Sequence, residues 1–278
     1  MYLTRHLCAE GPRWALNQRL LPAHVTLATL LQIPRSSLEG YLRGCPCGDA
    51  PSGPLIAPVE ASSDIWAAGV TYLRSRDARE AESETRDVYA KVYDAPRPEI
   101  FWKATGWRVV GHQMPIRVRA DSQWNVPEPE LTLVVNAALE IVGYCAGNDV
   151  SSRDIEGANP LYLPQAKVYD GSCALGPGIV LAGVDTLRDL PVRLTIARDG
   201  SEVFAGDTST SQMRRSFEEL VACLGRELAF PQGVFLMTGT GIVPPPAVSM
   251  RAGDHVCITI GPLTLENTVG SQPARQEP

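Results

Sequence analysis

The sequence predicts a β-rich α+β fold, and three observations lead to it. Short apolar runs rich in β-branched residues recur along the chain, most of them bounded by Gly, Pro or Asp, which is typical of strands. These runs do not alternate regularly with helices, as they would in a doubly wound fold. A length of 278 residues, 44% of them hydrophobic and 20% charged, suits one large globular domain with at most one small one.

Residues 1–60 are predicted to form a small N-terminal domain. Within them, residues 26–42 ("TLATLLQIPRSSLEGYL") place their leucines near the i, i+3 and i+4 positions of a helix. Residues 45–58 ("CPCGDAPSGPLIAP") break every periodicity with their prolines and glycines. We therefore place a domain boundary near residue 60.

Residues 61–270 are predicted to form the main, catalytic domain. It opens with a charged stretch over residues 73–87 that lacks Gly and Pro, which favours a helix, and it carries one late helix within residues 210–228. Between and after these, the predicted strands lie within residues 131–135, 140–150, 178–183, 192–200, 233–241 and 254–269. Residues 271–278 are polar and aperiodic, so we expect a flexible tail.

Charge and composition exclude several classes of function. A net charge of −6 and a pI near 5.3 argue against nucleic acid as a partner and favour small molecules. No apolar run approaches the roughly 18 to 20 residues of a membrane span, and the N-terminus has no secretory h-region. The seven cysteines are odd in number and scattered, so we expect free thiols in a cytoplasmic protein. The close pair Cys45 and Cys47 has no second pair nearby, which favours a turn over a zinc site.

The stretch "NVPEPELTLVV" (residues 125–135) carries the first chemical signal. Glu128 and Glu130 stand two positions apart at the start of a predicted strand, so their side chains leave the same face. Two such carboxylates repel each other unless a cation lies between them, and Mg²⁺ prefers oxygen ligands of this kind. The alternative is a solvated strand end without metal.

Later segments offer partners for this pair. Asp149 lies in "GNDVSSRDIEG" (residues 147–157) after a strand, where it can add a third carboxylate or can instead cap a short helix. Lys167 stands alone in an apolar setting, where it either extends its ammonium to water or acts as a base with a pKa lowered by a neighbouring cation. The loop "TGTG" (residues 238–241) can hold a carboxylate or be a plain turn.

Together, these segments resemble the fumarylacetoacetate hydrolase family over about residues 65–270. The resemblance rests on the Glu-x-Glu pair with its later Asp, on "NDVSSRD", on "TGTG", on "GDHVCITIGPLTLEN" and on "IFWK" with Lys103. It implies a mixed β-sheet roll, and it implies that Glu128, Glu130 and Asp149 bind Mg²⁺, with Mn²⁺ or Ca²⁺ as alternatives. It also implies a homodimer or a homotetramer.

One departure from the family pattern decides which chemistry to favour. Hydrolases of the family carry a "GxNYxxHxxE" motif whose histidine activates water, whereas this sequence has "GVTYLRSRDARE" with Ser75 at that place. The histidines are not at a matching position, and we expect structural or surface roles for His6, His24, His112 and His255. Residues 151–177 look most like the branch of 2-keto-3-deoxy-pentonate (2-dehydro-3-deoxy-D-arabinonate) dehydratases.

The resemblance therefore implies a metal-dependent hydro-lyase that acts on a 2-keto acid. It would convert a 2-keto-3-deoxy-pentonate to 2-oxoglutarate semialdehyde through an enolate stabilised by the metal. Lys167 is the first candidate for the base, and a glutamate within residues 74–86 is the second. The candidates for the acid are Glu80, Glu82, Glu84 and a metal-bound water, and the charged segment that carries these glutamates is predicted to close as a lid. A solvated helix face is the alternative for that segment. The predicted substrate contacts are Arg74, Arg79, Lys103, Gln165, Gly239 and Thr240. Arg153 and Asp154 are predicted to support the metal ligands.

Two other functions stay open at this stage. One is an acylpyruvate or diketo-acid hydrolase or decarboxylase of the same family, which would use the same enolate and break a carbon–carbon bond; Ser75 weighs against it. The other is a catalytically inert metal-binding homologue, and the complete set of Glu-x-Glu, Asp and Lys argues against that.

Overall fold

The computed structural model describes residues 1–75 and 92–271. Its strands are β1 (Tyr2–Cys8), β2 (Gly11–Leu16), β3 (Arg19–Leu20), β4 (Leu55–Ile56), β5 (Asp64–Gly69), β6 (Glu99–Thr105), β7 (Asn125–Val126), β8 (Pro129–Val135), β9 (Ile141–Asp149), β10 (Ser151–Ser152), β11 (Cys173–Leu181), β12 (Pro191–Arg198), β13 (Ser201–Ser209), β14 (Val234–Met237), β15 (His255–Ile260) and β16 (Leu263–Thr268). Its helices are α1 (Leu27–Leu30), α2 (Arg35–Gly44), α3 (Arg153–Ala158), α4 (Leu163–Lys167), α5 (Val184–Leu187) and α6 (Phe217–Leu224). The strand-rich α+β prediction is confirmed.

A ten-stranded mixed sheet organises the molecule, in the order β3-β2-β1-β11-β9-β8-β14-β5-β6, with β4 also paired to β1. The pair β14 and β5 is parallel, and the other pairs of this sheet are antiparallel. β6 is four strands away from β9, which is about 19 Å across a flat sheet. Lys103 of β6 nevertheless contacts Asp149 of β9. The sheet must therefore coil strongly, so that β6 comes to lie over the end of β9.

The two central strands of this sheet are buried on both faces. Every residue of β8 and β9 is buried, because one hydrophobic cluster covers each face. Leu133 belongs to the cluster that contains α6 and the second sheet, and Val134 belongs to the cluster that contains α1 and α2. Burial on both sides explains why these strands are continuous apolar runs rather than alternating ones.

A second, four-stranded antiparallel sheet has the order β13-β12-β15-β16. Burial alternates along β15, where Val256, Ile258 and Ile260 face the core and their neighbours are more exposed. This period of two is expected for a sheet that covers the core with one face. The paired strands β15 and β16 both lie within the β-like run predicted over residues 254–269.

The first 60 residues share the large sheet with the rest of the chain. β1 pairs with β11, and Leu3, Trp14 and Leu30 pack in the same cluster as Val134 of β8. The helical segment predicted over residues 26–42 is present as α1 and α2, which are separated near Pro34. The domain boundary near residue 60 stays a prediction.

The late helix is shorter than predicted. α6 begins after Ser216, whose hydroxyl accepts the backbone N–H of Glu219, and it ends at Leu224, with Gly225 as its C-cap. The predicted helix over the charged stretch lies largely outside the described residues, as does most of the predicted tail. None of the helices that the structure describes is long and apolar enough to cross a membrane.

Candidate active site

Three carboxylates meet where β8 begins and β9 ends. The antiparallel pairing sets Glu130 opposite Gly147, and the backbone N–H of Asp149 donates to the carbonyl of Glu128 at 3.0 Å. Glu128, Glu130 and Asp149 therefore leave the same face of the sheet, as the i, i+2 spacing predicts for the two glutamates. All three are at most 2% exposed, and each offers an oxygen within 4.8 Å of the other two.

Three buried cations surround these carboxylates. The Nζ atom of Lys167 lies 2.7 Å from Oε2 of Glu128 and 2.8 Å from Oδ2 of Asp149. Nζ of Lys103 lies 2.5 Å from Oδ1 of Asp149, and Nε of Arg153 lies 3.4 Å from Oε1 of Glu128. Buried carboxylates are costly unless they are paired in this way. The positive side chains thus make the acidic cluster compatible with a folded interior.

Glu130 is held from the opposite side by the loop after β14. The backbone N–H of Gly239 donates to Oε2 of Glu130 at 2.7 Å. Gly239 has φ +90°, and a Cβ there would lie 2.0 Å from Oγ1 of Thr71, so only glycine fits. Burial, followed by the charges of Asp149 and Glu128, raises the pKa of Glu130 well above its usual range, against the opposing effect of Lys167 and Gly239. The "TGTG" loop therefore holds a carboxylate, and that carboxylate is the protein's own.

A small cavity opens over the cluster. Besides the three carboxylates and Lys167, the residues that line it are Ala68, Gly69, Val70, Ser75, Glu99, Phe101, Glu156, Gly239 and Thr240. Val70 has φ +54°, which is an outlier for a β-branched residue. Strained backbone of this kind is often found at functional sites. Ser75, which the resemblance noted above places at the position of the hydrolase histidine, lines this cavity and is 3% exposed.

Only some of the residues predicted to contact the substrate line the cavity. Gly239 and Thr240 line the cavity, and the Thr240 hydroxyl donates to the carbonyl of Ile242 at 3.2 Å. Arg74 and Gln165 are exposed and do not line it. Lys103 lies behind Asp149 and does not line the cavity either. Arg79, Glu80 and Glu84 lie outside the described residues.

Arg153 and Asp154, both predicted to support the metal ligands, lie in different surroundings. Arg153 joins the cluster through Glu128. The side chain of Asp154 instead accepts the Ser122 hydroxyl at 2.5 Å and the backbone N–H of Gln123 at 2.7 Å. Asp154 therefore anchors the segment before β7 to α3, because its side chain leaves the helix on a different side from Arg153.

Two further glutamates line the cavity and were not singled out from the sequence. Glu99 lies on β6 at positions i−2 and i−4 from Phe101 and Lys103, so a period of two along "EIFWK" was the available signal. Glu156 follows Arg153 by three positions on α3, is 3% exposed, and accepts the Ser151 hydroxyl at 2.8 Å. Helical spacing from Arg153 could have indicated it.

The residues present fit a divalent cation. Hard cations such as Mg²⁺ take carboxylate oxygens and usually retain positions for water and substrate. Glu128, Glu130 and Asp149 supply three such groups on one face, and the adjacent cavity leaves an open side. That these three residues are the ligands stays a prediction.

Comparisons with known proteins identify the family to which the chain belongs. The model of the fumarylacetoacetate (FAA) hydrolase C-terminal family matches residues 64–270. A probable 2-keto-3-deoxyxylonate dehydratase of Haloferax volcanii is 52% identical over 214 residues, which are 76% of this chain and 73% of that protein. A 2-dehydro-3-deoxy-D-arabinonate dehydratase of Saccharolobus solfataricus is 44% identical over 202 residues, which are 71% of this chain and 68% of that protein.

Solved structures extend the likeness to the whole chain. A 2-keto-3-deoxy-D-arabinonate dehydratase complexed with magnesium and 2,5-dioxopentanoate is 33% identical, with a TM-score of 0.79 over 99% of this chain and 100% of that chain. A hexagonal crystal form of 2-keto-3-deoxyarabinonate dehydratase gives a TM-score of 0.84 at 34% identity, again over 99% of this chain and 100% of that chain. The similarity thus includes residues 1–60, which the family model leaves out.

Proposed function

Because the chain belongs to the fumarylacetoacetate hydrolase family, we propose that it is a metal-dependent dehydratase, a hydro-lyase that converts a 2-keto-3-deoxy-pentonate to 2-oxoglutarate semialdehyde (2,5-dioxopentanoate). A substrate such as 2-dehydro-3-deoxy-D-arabinonate fits the names of the similar proteins. One observation carries the choice of reaction. Among the described residues, the cavity combines three carboxylates and Lys167 with Ser75, and no histidine lines it.

The acidic cluster defines where the substrate must bind. Glu128, Glu130 and Asp149 would hold Mg²⁺ at the base of the cavity. When bound, the cation supplies a Lewis acid that stabilises negative charge on a nearby keto oxygen of the substrate. Such stabilisation makes the protons on C3, next to the keto group, more acidic. The C3 methylene must therefore lie over the cluster, next to the groups that can accept a proton.

Lys167 is the proposed base for the C3 proton. Lys167 lines the cavity, and its Nζ contacts the carboxylates of Glu128 and Asp149 and lies 6.0 Å from the centroid of the Phe101 ring. A base must be within hydrogen-bond reach of the proton that it takes, and a keto acid bound over Glu128 and Asp149 would bring its C3 protons towards Lys167. Lys167 must lose a proton to act as the base, and it regains one from C3.

An acid must then protonate the C4 hydroxyl as it leaves. Glu99 and Glu156 line the cavity and are the described candidates, and Glu80 and Glu84 remain candidates from the sequence. Lys167 keeps the proton from C3, and the acid gives one proton to the departing C4 hydroxyl, so the substrate loses one water and becomes an unsaturated keto acid. The proton on Lys167 then returns to the acid, which restores both groups. The unsaturated keto acid tautomerises to the semialdehyde. Substrate contacts from Gly239, Thr240, Arg74, Arg79 and Gln165 stay predictions. The N–H of Gly239 already donates to Glu130, and the hydroxyl of Thr240 donates to the carbonyl of Ile242.

The test is a coupled assay. The purified protein is incubated with Mg²⁺ and 2-keto-3-deoxy-pentonate, and the semialdehyde is followed through an aldehyde dehydrogenase, with an acylpyruvate in a parallel cuvette. We expect semialdehyde formation that stops when EDTA is added and that is abolished by Glu130→Gln. Consumption of the acylpyruvate alone, with release of pyruvate, would show a hydrolase or a decarboxylase instead. Mg²⁺ binding without turnover of either compound would show an inert homologue.

Location and assembly are part of the same proposal. All seven cysteines are free thiols, which suits the reducing cytoplasm. We propose a homodimer or a homotetramer, as the family resemblance implies. Light scattering on the eluate of a size-exclusion column tests the assembly, and fractionation of the source cells tests the location. A monomeric mass across the concentration range would contradict the first.

A further inference from the structure

Lys103 has surroundings that differ from those expected of a substrate contact. The side chain is 1% exposed, and four protein oxygens lie around its Nζ atom. Oδ1 of Asp149 is at 2.5 Å, the carbonyl of Val150 at 3.2 Å and the Ser172 hydroxyl at 3.4 Å, and the carbonyl of Lys167 also accepts from it. An ammonium has three protons to donate. These oxygens therefore use its full donor capacity inside the protein.

Two of these contacts join Lys103 directly to residues of the proposed active site, Asp149 and Lys167. Asp149 is shared between two lysines, with Oδ1 toward Lys103 and Oδ2 toward Lys167. Lys103 also holds the backbone carbonyl of Lys167, where α4 ends, and the Ser172 hydroxyl donates to the same carbonyl at 2.8 Å. The buried Lys103 side chain thus fixes two things. It fixes the rotation of the Asp149 carboxylate, and it fixes the backbone position of Lys167, from which that side chain reaches into the site.

We propose that Lys103 is a positioning residue, which sets the orientation of Asp149 and the place of Lys167 and does not bind substrate. This inference rests on the proposed metal site, and its kinetic consequence rests on the proposed reaction as well. Groups that orient metal ligands from behind commonly change metal affinity or activity by about 10- to 100-fold when removed. Lys103 is in that position relative to Asp149.

Measurements of Mg²⁺ affinity distinguish a positioning role of Lys103 from a purely electrostatic one, because the two roles predict changes of opposite sign in the Kd when Lys103 is replaced. Replacing Lys103 with Met removes a positive charge 2.5 Å from a carboxylate of the cluster. Coulomb's law alone then predicts tighter binding of Mg²⁺. Positioning predicts weaker binding, since Asp149 loses the partner of Oδ1 and can rotate away from the other two carboxylates.

The first experiment is calorimetric titration of Mg²⁺ into the metal-free full chain. We expect Lys103→Met to raise the Kd for Mg²⁺ by about tenfold or more. Lys103→Arg keeps the charge but cannot reproduce the set of contacts around a single nitrogen, so we expect it to raise the Kd as well. Unchanged or tighter binding by Lys103→Met would overturn the proposal, and so would wild-type affinity in Lys103→Arg. The titrations of the two variants do not require turnover, so they test the positioning role of Lys103 even if the dehydratase assay shows no activity.

The second experiment is the split between kcat and KM on the keto acid. Positioning predicts that Lys103→Met lowers kcat by about 10- to 100-fold at saturating Mg²⁺ and changes KM by less than about threefold. A large rise in KM with kcat retained would assign Lys103 to substrate and overturn the proposal. A lower melting temperature with kcat per folded molecule retained would reduce Lys103 to a structural residue, and would overturn it too.

Two further variants keep these experiments decisive. Arg193→Met is the matched control, because it removes one positive charge at an exposed pair with Asp207 on the second sheet, and it should leave Kd and kcat unchanged. If Lys103→Met does not fold, Ser172→Ala takes its place. It removes a hydroxyl that accepts from Lys103 and from the backbone N–H of Tyr169 and donates to the Lys167 carbonyl. We expect smaller changes of the same sign from Ser172→Ala, and wild-type values there would overturn the proposal.

Discussion

At the scale of single residues, the site depends on how a carboxylate is kept charged or neutral. Glu130 is the most extreme case, because burial and two neighbouring carboxylates raise its pKa while one backbone N–H and Lys167 oppose them. In the metal-free protein the folded state therefore keeps a proton on Glu130 to higher pH than the unfolded chain does. Folding stability contributed by this group is present at low pH and is lost as the pH rises through the folded-state pKa.

Replacing Glu130 with Gln should remove this pH dependence. In EDTA, we expect the melting temperature of the wild type to fall as the pH rises above the usual carboxyl range, and that of Glu130→Gln to fall less. Thermal unfolding in matched buffers measures both. Glu202→Gln, on the exposed strand β13, is the control and should follow the wild type. Parallel curves for the wild type and Glu130→Gln would contradict the raised pKa.

Gly239 supports a second prediction at this scale. Gly239→Ala should lower the free energy of unfolding by more than about 1 kcal/mol and should weaken Mg²⁺ binding, because the new Cβ meets Thr71 and displaces the N–H that holds Glu130. Gly200→Ala is a matched control, since Gly200 also has positive φ, +78°, but a Cβ there meets nothing within 4 Å. Denaturant unfolding measures the free energy of unfolding of both variants, and Mg²⁺ titration measures their affinity for the ion. Equal effects from the two would show that only backbone strain matters.

At the scale of elements, local spacing decides what could be predicted from the sequence. The strands β8, β9, β12, β15 and β16 follow from their apolar runs, and the carboxylate pair follows from the period of two along β8. β1 and β2 could not be predicted in this way, because Thr4, Arg5 and His6 interrupt the apolar pattern, and their strand form depends on pairing with β11. The approach of Lys103 to Asp149 depends on sheet coiling, which no short segment encodes.

Burial on both faces of β8 gives a prediction for that element. Leu133→Ala should lower the free energy of unfolding by about 2 to 5 kcal/mol, because the side chain is fully buried against the α6 cluster. Leu161→Ala is the control, since Leu161 is 83% exposed and should cost far less. Denaturant unfolding measures both. A small cost at Leu133 would mean that the core collapses into the space.

At the scale of the whole molecule, the N-terminal 60 residues complete the large sheet. β1 covers the edge of β11 that would otherwise be open, and α1 and α2 cover one face of β8. The sequence predicts a separate small domain here because composition changes near residue 60, and composition does not report which strands pair across that point. The separate small domain therefore remains to be tested by truncation.

A chain that begins at residue 61 tests this boundary. We expect it to aggregate or to lack a cooperative unfolding transition, because it would expose the edge of β11 and the apolar face that Leu3, Trp14 and Leu30 cover. Circular dichroism and size-exclusion chromatography measure this outcome. A soluble, cooperatively folded fragment would establish two independent domains and would refute the shared core.

Burial of the central strands also predicts the order in which Mg²⁺ and the keto acid bind and leave. The carboxylates that would hold Mg²⁺ are at most 2% exposed, whereas Glu99 and Phe101 at the cavity wall are partly exposed. Both faces of β8 are covered, so the ion and the substrate would enter past the outer residues of the cavity, and a bound keto acid would lie between the ion and solvent. We therefore expect compulsory-order kinetics, with the ion first on and last off. Excess product should slow the stripping of Mg²⁺ by EDTA, and an unchanged stripping rate would show a second way out.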